Sequence, residues 1–194
     1  MKLQYDLSKR KQYSYTAYRS MIDKLHREGK TTGNNHSETM LGYSTMNVTR
    51  MKRLDKTSKI NAELASKIKA LPAQKWLIIS EAWCGDAAQN LPLINKLAEL
   101  NPDVELSIIL RDENLDIMDE HLTGGGRSIP KVISLNSKQE TLFEWGPRPN
   151  LMQDTYSRLK KDGLAYDNIS KTIHTMYAKD KGQAIQSEFF ELLK

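Results

Sequence analysis

Cysteine is almost absent from this chain: Cys84 is the one such residue among 194. No internal disulfide can form, and no zinc site can be assembled from cysteine pairs. A lone thiol suits a reducing compartment. Long apolar runs are missing too. No stretch approaches the ~20 residues needed to cross a bilayer. The opening Met1-Lys2-Leu3-Gln4-Tyr5-Asp6 is not followed by the apolar segment of a secretory signal. These absences lead to the expectation of a cytoplasmic protein with no membrane partner. The glycine run Gly124-Gly125-Gly126 lacks the Lys-Ser/Thr ending of a phosphate loop and precedes a strand, so it reads as a flexible loop. His26, His36 and His174 match no metal-ligand spacing and receive no role. The acids Asp112, Glu113, Asp116, Asp119 and Glu120 with His121 have no calcium-loop spacing and read as a solvated helix face. No metal and no cofactor is expected.

What is present is a globular composition, 39% hydrophobic and 27% charged, long enough for one domain of roughly 100–150 residues and a substantial extension. The net charge of +5 is unevenly spread. Residues 1–72 carry 15 Lys and Arg against 6 Asp and Glu, and residues 73–194 carry 14 against 18. Such asymmetry can signal nucleic-acid binding. Here the basic residues are interleaved with core-type apolar positions, which favours a solvated helical face, or one that docks an acidic partner such as the acidic half of the same chain.

The pattern divides the chain. Residues 1–72 read as a helical extension. Tyr15, Tyr18, Met21, Ile22 and Leu25 recur at helical spacing from Ser8 to Arg27. Ser37 is a candidate N-cap for a second helix, and a third ends near Leu71-Pro72. Residues 73–162 then run strand, helix, strand, helix, strand, strand, helix. Trp76-Leu77-Ile78-Ile79 and Val104–Leu110 have the composition of buried strands, parallel because a helix joins them. Pro92 falls inside that helix. Asp112 is a candidate N-cap for a short acidic helix reaching His121. Lys131–Leu135 and Glu140–Trp145 form a hairpin. Residues 163–194 supply further helices that pack on the core. The fold class is α/β, a mixed sheet flanked by helices.

Trp83-Cys84-Gly85 just after the first strand, and Ser128-Ile129-Pro130 just before the hairpin, resemble the active-site motif and the cis-proline segment of the thioredoxin superfamily. The match covers roughly Lys75 to Lys160. Asn47-Val48-Thr49-Arg50-Met51, Trp83-Cys84-Gly85-Asp86 and Trp145-Gly146-Pro147-Arg148-Pro149 resemble a bacterial branch of thioredoxin-like proteins whose implied function is vague. The departures are specific. Ala87 stands where the second cysteine would be, Asp86 where the usual proline would be, and Ile78 where a buried acid assists proton transfer.

The resemblance implies a site at Cys84, with Trp83, Gly85, Asp86, Arg127, Ile129 and Pro130 as partner-binding residues. Cys84 at a helix N-terminus is expected to have a pKa somewhat below the unperturbed value of about 8.5, although Asp86 opposes the thiolate. The backbone at Ile129-Pro130 is expected to pair with an extended partner. Arg127 could receive a carboxylate or an anion, a surface salt bridge being its commoner fate. Glu81 could serve as a base or face solvent. Trp145-Gly146-Pro147-Arg148-Pro149 reads as a turn into the next helix, its glycine permitting close approach. Without a resolving thiol, a mixed disulfide cannot be released from within the chain. The expectation is a single-thiol protein that exchanges with a small thiol or a protein disulfide. The alternatives are a non-catalytic adaptor using the same groove and, more weakly, nucleic-acid association through the basic helices.

Overall fold

A computed structural model describes residues 5–193. Its centre is β1, Gln74–Ser80, the apolar run read from the sequence. Trp76, Leu77, Ile78, Ile79 and Ser80 are all 0% exposed, so both faces of the strand are covered, which is why the run is continuous rather than alternating. β1 pairs in parallel with β2, Val104–Leu110, and antiparallel with β3, Lys131–Asn136; β3 pairs antiparallel with β4, Thr141–Trp145. The order β2-β1-β3-β4 is a four-stranded mixed sheet. The fold is α/β, with helices flanking that sheet.

The helices are α1 (Tyr15–Arg27), α2 (Glu38–Thr57), α3 (Ala62–Lys69), α4 (Gly85–Ala98), α5 (Leu115–Asp119), α6 (Asn150–Lys161), α7 (Tyr166–Asp180) and α8 (Gln183–Leu192). Ser14 Oγ accepts from Ala17 N and starts α1, seven positions later than the pattern from Ser8 suggests. Tyr13 is diverted instead into a bridge with Ile108, the two exchanging N–H···O bonds of 2.8 Å each. That bridge covers the edge of β2, an exposed row of backbone groups that would otherwise invite strand pairing. Tyr15 and Tyr18, which recur at helical spacing in the sequence, do pack from α1 into the core. Tyr18 reaches the sheet through a 3.1 Å contact with Ser80 Oγ. Among the described residues, the basic N-terminal segment and the acidic half meet at one ion pair, Arg10–Asp116.

The acidic helix is much shorter than expected. Asp112 lies in a single 3-10 turn, Arg111–Glu113, and the N-cap position of α5 is Asn114. His121 does not share a solvated face with the acids. Its side chain is fully buried and its Nδ1 lies 2.8 Å from Glu144 Oε1 on β4. The reason is positional: Ile117 and Met118 are 0% exposed, so α5 leans into the core and carries His121 with it.

On α8, Phe189 stands edge-on to Trp76, Phe143 and Trp145 at centroid distances of 5.5, 5.9 and 5.6 Å, the geometry aromatic quadrupoles favour. The main core runs from Leu7 to Leu193, while Met152, Ile169, Ile173 and Tyr177 form a smaller cluster between α6 and α7. No helix among the described residues is long and apolar enough to cross a membrane.

Candidate functional site

The register of β1 against β3 sets the site. Ile79 faces Lys131 across the antiparallel ladder. The chain leaving β1 therefore turns beside the chain entering β3, and Cys84 comes to lie beside Ile129. Cys84 is the N-cap residue of α4. Its Sγ accepts from Ala87 N at 3.4 Å and donates to Ile129 O at 3.1 Å. The Ile129–Pro130 peptide bond is cis. The two motifs that the sequence singled out thus meet at a sulfur–carbonyl contact.

The state of the thiol differs from the expectation. Cys84 is 7% exposed, and its pKa is pushed up to about 12, first by burial and second by the Asp86 carboxylate. The backbone N–H groups of Ala87 and Asp86 pull the other way but do not prevail. The helix N-terminus that favours a thiolate is present, and desolvation of the charge outweighs it. At neutral pH the sulfur is a protonated donor to Ile129 O.

Asp86 is fully engaged. Its Oδ2 accepts from Arg148 Nε at 3.0 Å and Nη2 at 2.6 Å, and its Oδ1 accepts from Tyr177 OH at 2.8 Å. Asn90 Nδ2 donates in turn to Tyr177 OH at 3.0 Å. Arg148 also lies over the Tyr156 ring at 4.3 Å. This buried network ties the first turn of α4 to α6 and α7. The Trp145–Pro149 segment therefore does more than turn the chain. Its Arg148 is the partner of Asp86. Its Gly146 lies against Pro130, where a Cβ would come within 2.1 Å of the carbonyl oxygen.

Two other sequence candidates are committed to partners other than the thiol. Glu81 does not face solvent: it is 1% exposed, and Oε1 accepts from Asp112 N at 2.9 Å. Burial raises its pKa. Arg127 is held by both oxygens of Asp119, at 2.6 and 2.8 Å, the surface salt bridge named as its commoner fate. Trp83 is half-buried, with Arg111 stacked 4.7 Å from its ring.

The residues that the sequence did not single out as ligand groups come from α2 and α7. These helices overhang the thiol and form two walls of a solvent-open cavity of about 440 Å³. Asn47 Nδ2 anchors α2 to Ala82 O at 2.9 Å, beside the Cys84 turn, and Arg50 Nη1 donates to Asn47 Oδ1 at 2.9 Å. From α7, His174 packs so closely on Gly85 that a Cβ there would lie 2.8 Å from its Nε2. Gly85 is glycine because the imidazole occupies that space. The His174 pKa falls to about 4, chiefly through burial and secondarily through Arg50, so the ring is neutral at physiological pH. No local spacing could have found His174, because its contact with Gln89 spans 85 positions. Among the described residues there is no cluster of three His, Cys, Asp or Glu able to hold a metal ion.

Comparison with known proteins gives a family match. A family model described as Thioredoxin matches residues 33–160. No curated protein matches the chain. Among solved structures, the chain is similar to an HIV epitope-scaffold at 18% identity and a TM-score of 0.52, over 92% of this chain and 98% of that one. It is also similar to a protein of unknown function from Pseudomonas aeruginosa at 21% identity and a TM-score of 0.49, over 89% and 99%. At these identities the likeness to the scaffold concerns the fold alone.

Proposed function

The chain belongs to the thioredoxin family, and from that premise we propose that it uses the family's fold to bind a small molecule above a protonated Cys84 rather than to turn over protein disulfides. The observation that carries this reading is the roof. With α2 and α7 in place, the space above Cys84 is a cavity of about 440 Å³, within the range of roughly 300–1,000 Å³ usual for small-molecule sites. Three further features support it. The Ile129 carbonyl, which an added strand would need, already accepts from Cys84 Sγ. Ala87 supplies no resolving thiol, and Ile78 supplies no proton acceptor. The thiol itself is held in the form that does not attack disulfides.

A second reading, single-thiol exchange with a small disulfide, is favoured by one contact: Ala87 N lies 3.4 Å from Sγ and would stabilise a thiolate if water reached it. A screen of small uncharged and charged fragments by ligand-observed NMR separates the two, with N-ethylmaleimide alkylation of Cys84 as a second readout. Binding predicts fragment hits that slow alkylation and leave Cys84 unmodified by mass. Exchange predicts mixed disulfides with small disulfides such as cystine at neutral pH. Absence of any fragment that protects Cys84, with ready mixed-disulfide formation, would overturn the binding reading in favour of exchange.

A further inference from the structure

The cavity above Cys84 has an electrostatic asymmetry that its floor does not explain. Four arginines line it, and three are compensated. Arg111 pairs with Asp112 at 2.8 Å, Arg127 with Asp119 at 2.6 Å and Arg148 with Asp86 at 2.6 Å. Arg50 forms no ion pair among the described residues, and its one hydrogen-bond partner is the neutral Asn47 amide oxygen. It is half-buried; burial and Arg53 disfavour its charge and together outweigh the pull of the Asp86 carboxylate, which is bonded to Arg148 rather than to Arg50. A half-buried guanidinium without a carboxylate is costly unless something else supplies the counter-charge.

The second observation concerns direction. Arg50 Nη1 and His174 Nε2 both lie against Gly85, 3.6 and 2.8 Å from where a Cβ there would sit. Gln89 Nε2 contacts the other ring nitrogen, Nδ1, at 3.2 Å. With the amide N–H donating to Nδ1, the neutral ring carries its proton on Nε2. Two side-chain donors from different helices, α2 and α7, therefore stand side by side in the cavity wall at Gly85. The one carboxylate that lines it, Asp86, is turned onto Arg148 and Tyr177. Met40, Met46 and Ile173 supply apolar wall, and Tyr43 and Tyr166 supply aromatic wall.

Resting on the small-molecule reading above, we infer that this cavity takes a small organic monoanion: a carboxylate gripped by Arg50 and by the Nε2 of His174, carried on an apolar or aromatic body. Arg50 is the one arginine lining the cavity without an ion pair among the described residues, and a single free guanidinium favours a carboxylate over a phosphate dianion. The planar guanidinium fork suits a carboxylate's two oxygens, and a half-buried site strengthens the attraction relative to water.

The test is calorimetric titration of the full-length protein with benzoate, phenylacetate and 4-phenylbutyrate, each compared with its uncharged primary amide. The wild-type protein is expected to bind at least one of these carboxylates at least tenfold more tightly than the matching amide. Arg50→Gln is expected to bring that carboxylate down to the affinity of its amide, and Arg50→Lys, which keeps the charge but not the fork, to fall between. Saturating carboxylate is expected to slow N-ethylmaleimide alkylation of Cys84 severalfold, which places the ligand in this cavity. Equal affinity for acid and amide would overturn the anion inference and leave the cavity reading standing, as would an acid preference that survives Arg50→Gln. Binding of no probe of either kind would overturn both. The acid–amide comparison on the wild-type protein decides the matter even if the Arg50 variants do not fold.

Discussion

Asp86→Ala is expected to destabilise the protein by about 3–5 kcal/mol, the cost of removing one partner from a buried ion pair. Both side chains are 13% exposed, so solvent screening rescues little. The substitution leaves Arg148 without its carboxylate and deprives Tyr177 OH of its acceptor. The loss is spread over the first turn of α4, over α6 and over α7. Urea unfolding followed by circular dichroism measures it. Asp86→Asn should cost less, because an amide oxygen can still accept from Tyr177. The same change acts on Cys84. Asp86 is the largest influence after burial holding the thiol protonated, and Arg148 opposes it. Removing the acid and releasing the guanidinium both lower the thiol pKa, so the variant should be alkylated faster than the wild type wherever it remains folded. Unchanged stability would mean that the network does not hold the roof over the site.

Gly146→Ala is expected to abolish folding or to cost more than ~4 kcal/mol, in the range reserved for a small set of structural faults. Gly146 has φ +119, and its Cβ would meet the Pro130 carbonyl oxygen at 2.1 Å and the carbonyl carbon at 3.1 Å. Both atoms are backbone, next to β3 in the interior of the sheet, and cannot move aside as a side-chain tip would. The control is Gly125→Ala, where φ is +76 but nothing lies within 4 Å. That variant should lose only about 1–2 kcal/mol, the cost of placing a Cβ in left-handed backbone. Chemical denaturation of the two variants side by side separates the clash from the dihedral. Similar losses in both would show that the approach of Gly146 to Pro130 is not limiting.

The sequence conveyed those features whose causes are local. The run Trp76–Ile79 reads as a buried strand because both its faces are covered, and the hairpin is legible from its two short runs, Lys131–Leu135 and Glu140–Trp145. The meeting of Cys84 with Ile129 and Pro130 followed from a resemblance carried by two short motifs placed correctly against the strands. The misreadings have distant causes. Tyr13 leaves the expected helix because Ile108 offers it a backbone pair. His121 is buried because α5 leans into the core, where Glu144 on β4 meets its ring. The acidity of Cys84 is not legible because a helix N-terminus is visible in sequence, whereas the burial that desolvates the sulfur comes from tertiary packing around it. Arg50 and His174 escaped as ligand groups for the same reason. Each is unremarkable on its own helix, and they acquire a role where the two helices converge over Gly85.

The most direct measurement is the rate of Cys84 alkylation as a function of pH, with an uncharged reagent on the full-length protein. It is paired with an insulin-reduction assay in the presence of an external thiol. A binding site floored by a protonated sulfur predicts slow alkylation at neutral pH, a midpoint well above the free-thiol value of about 8.5, and no insulin turnover. A midpoint at or below that value, together with catalytic reduction of insulin, would show a working nucleophile and contradict the account.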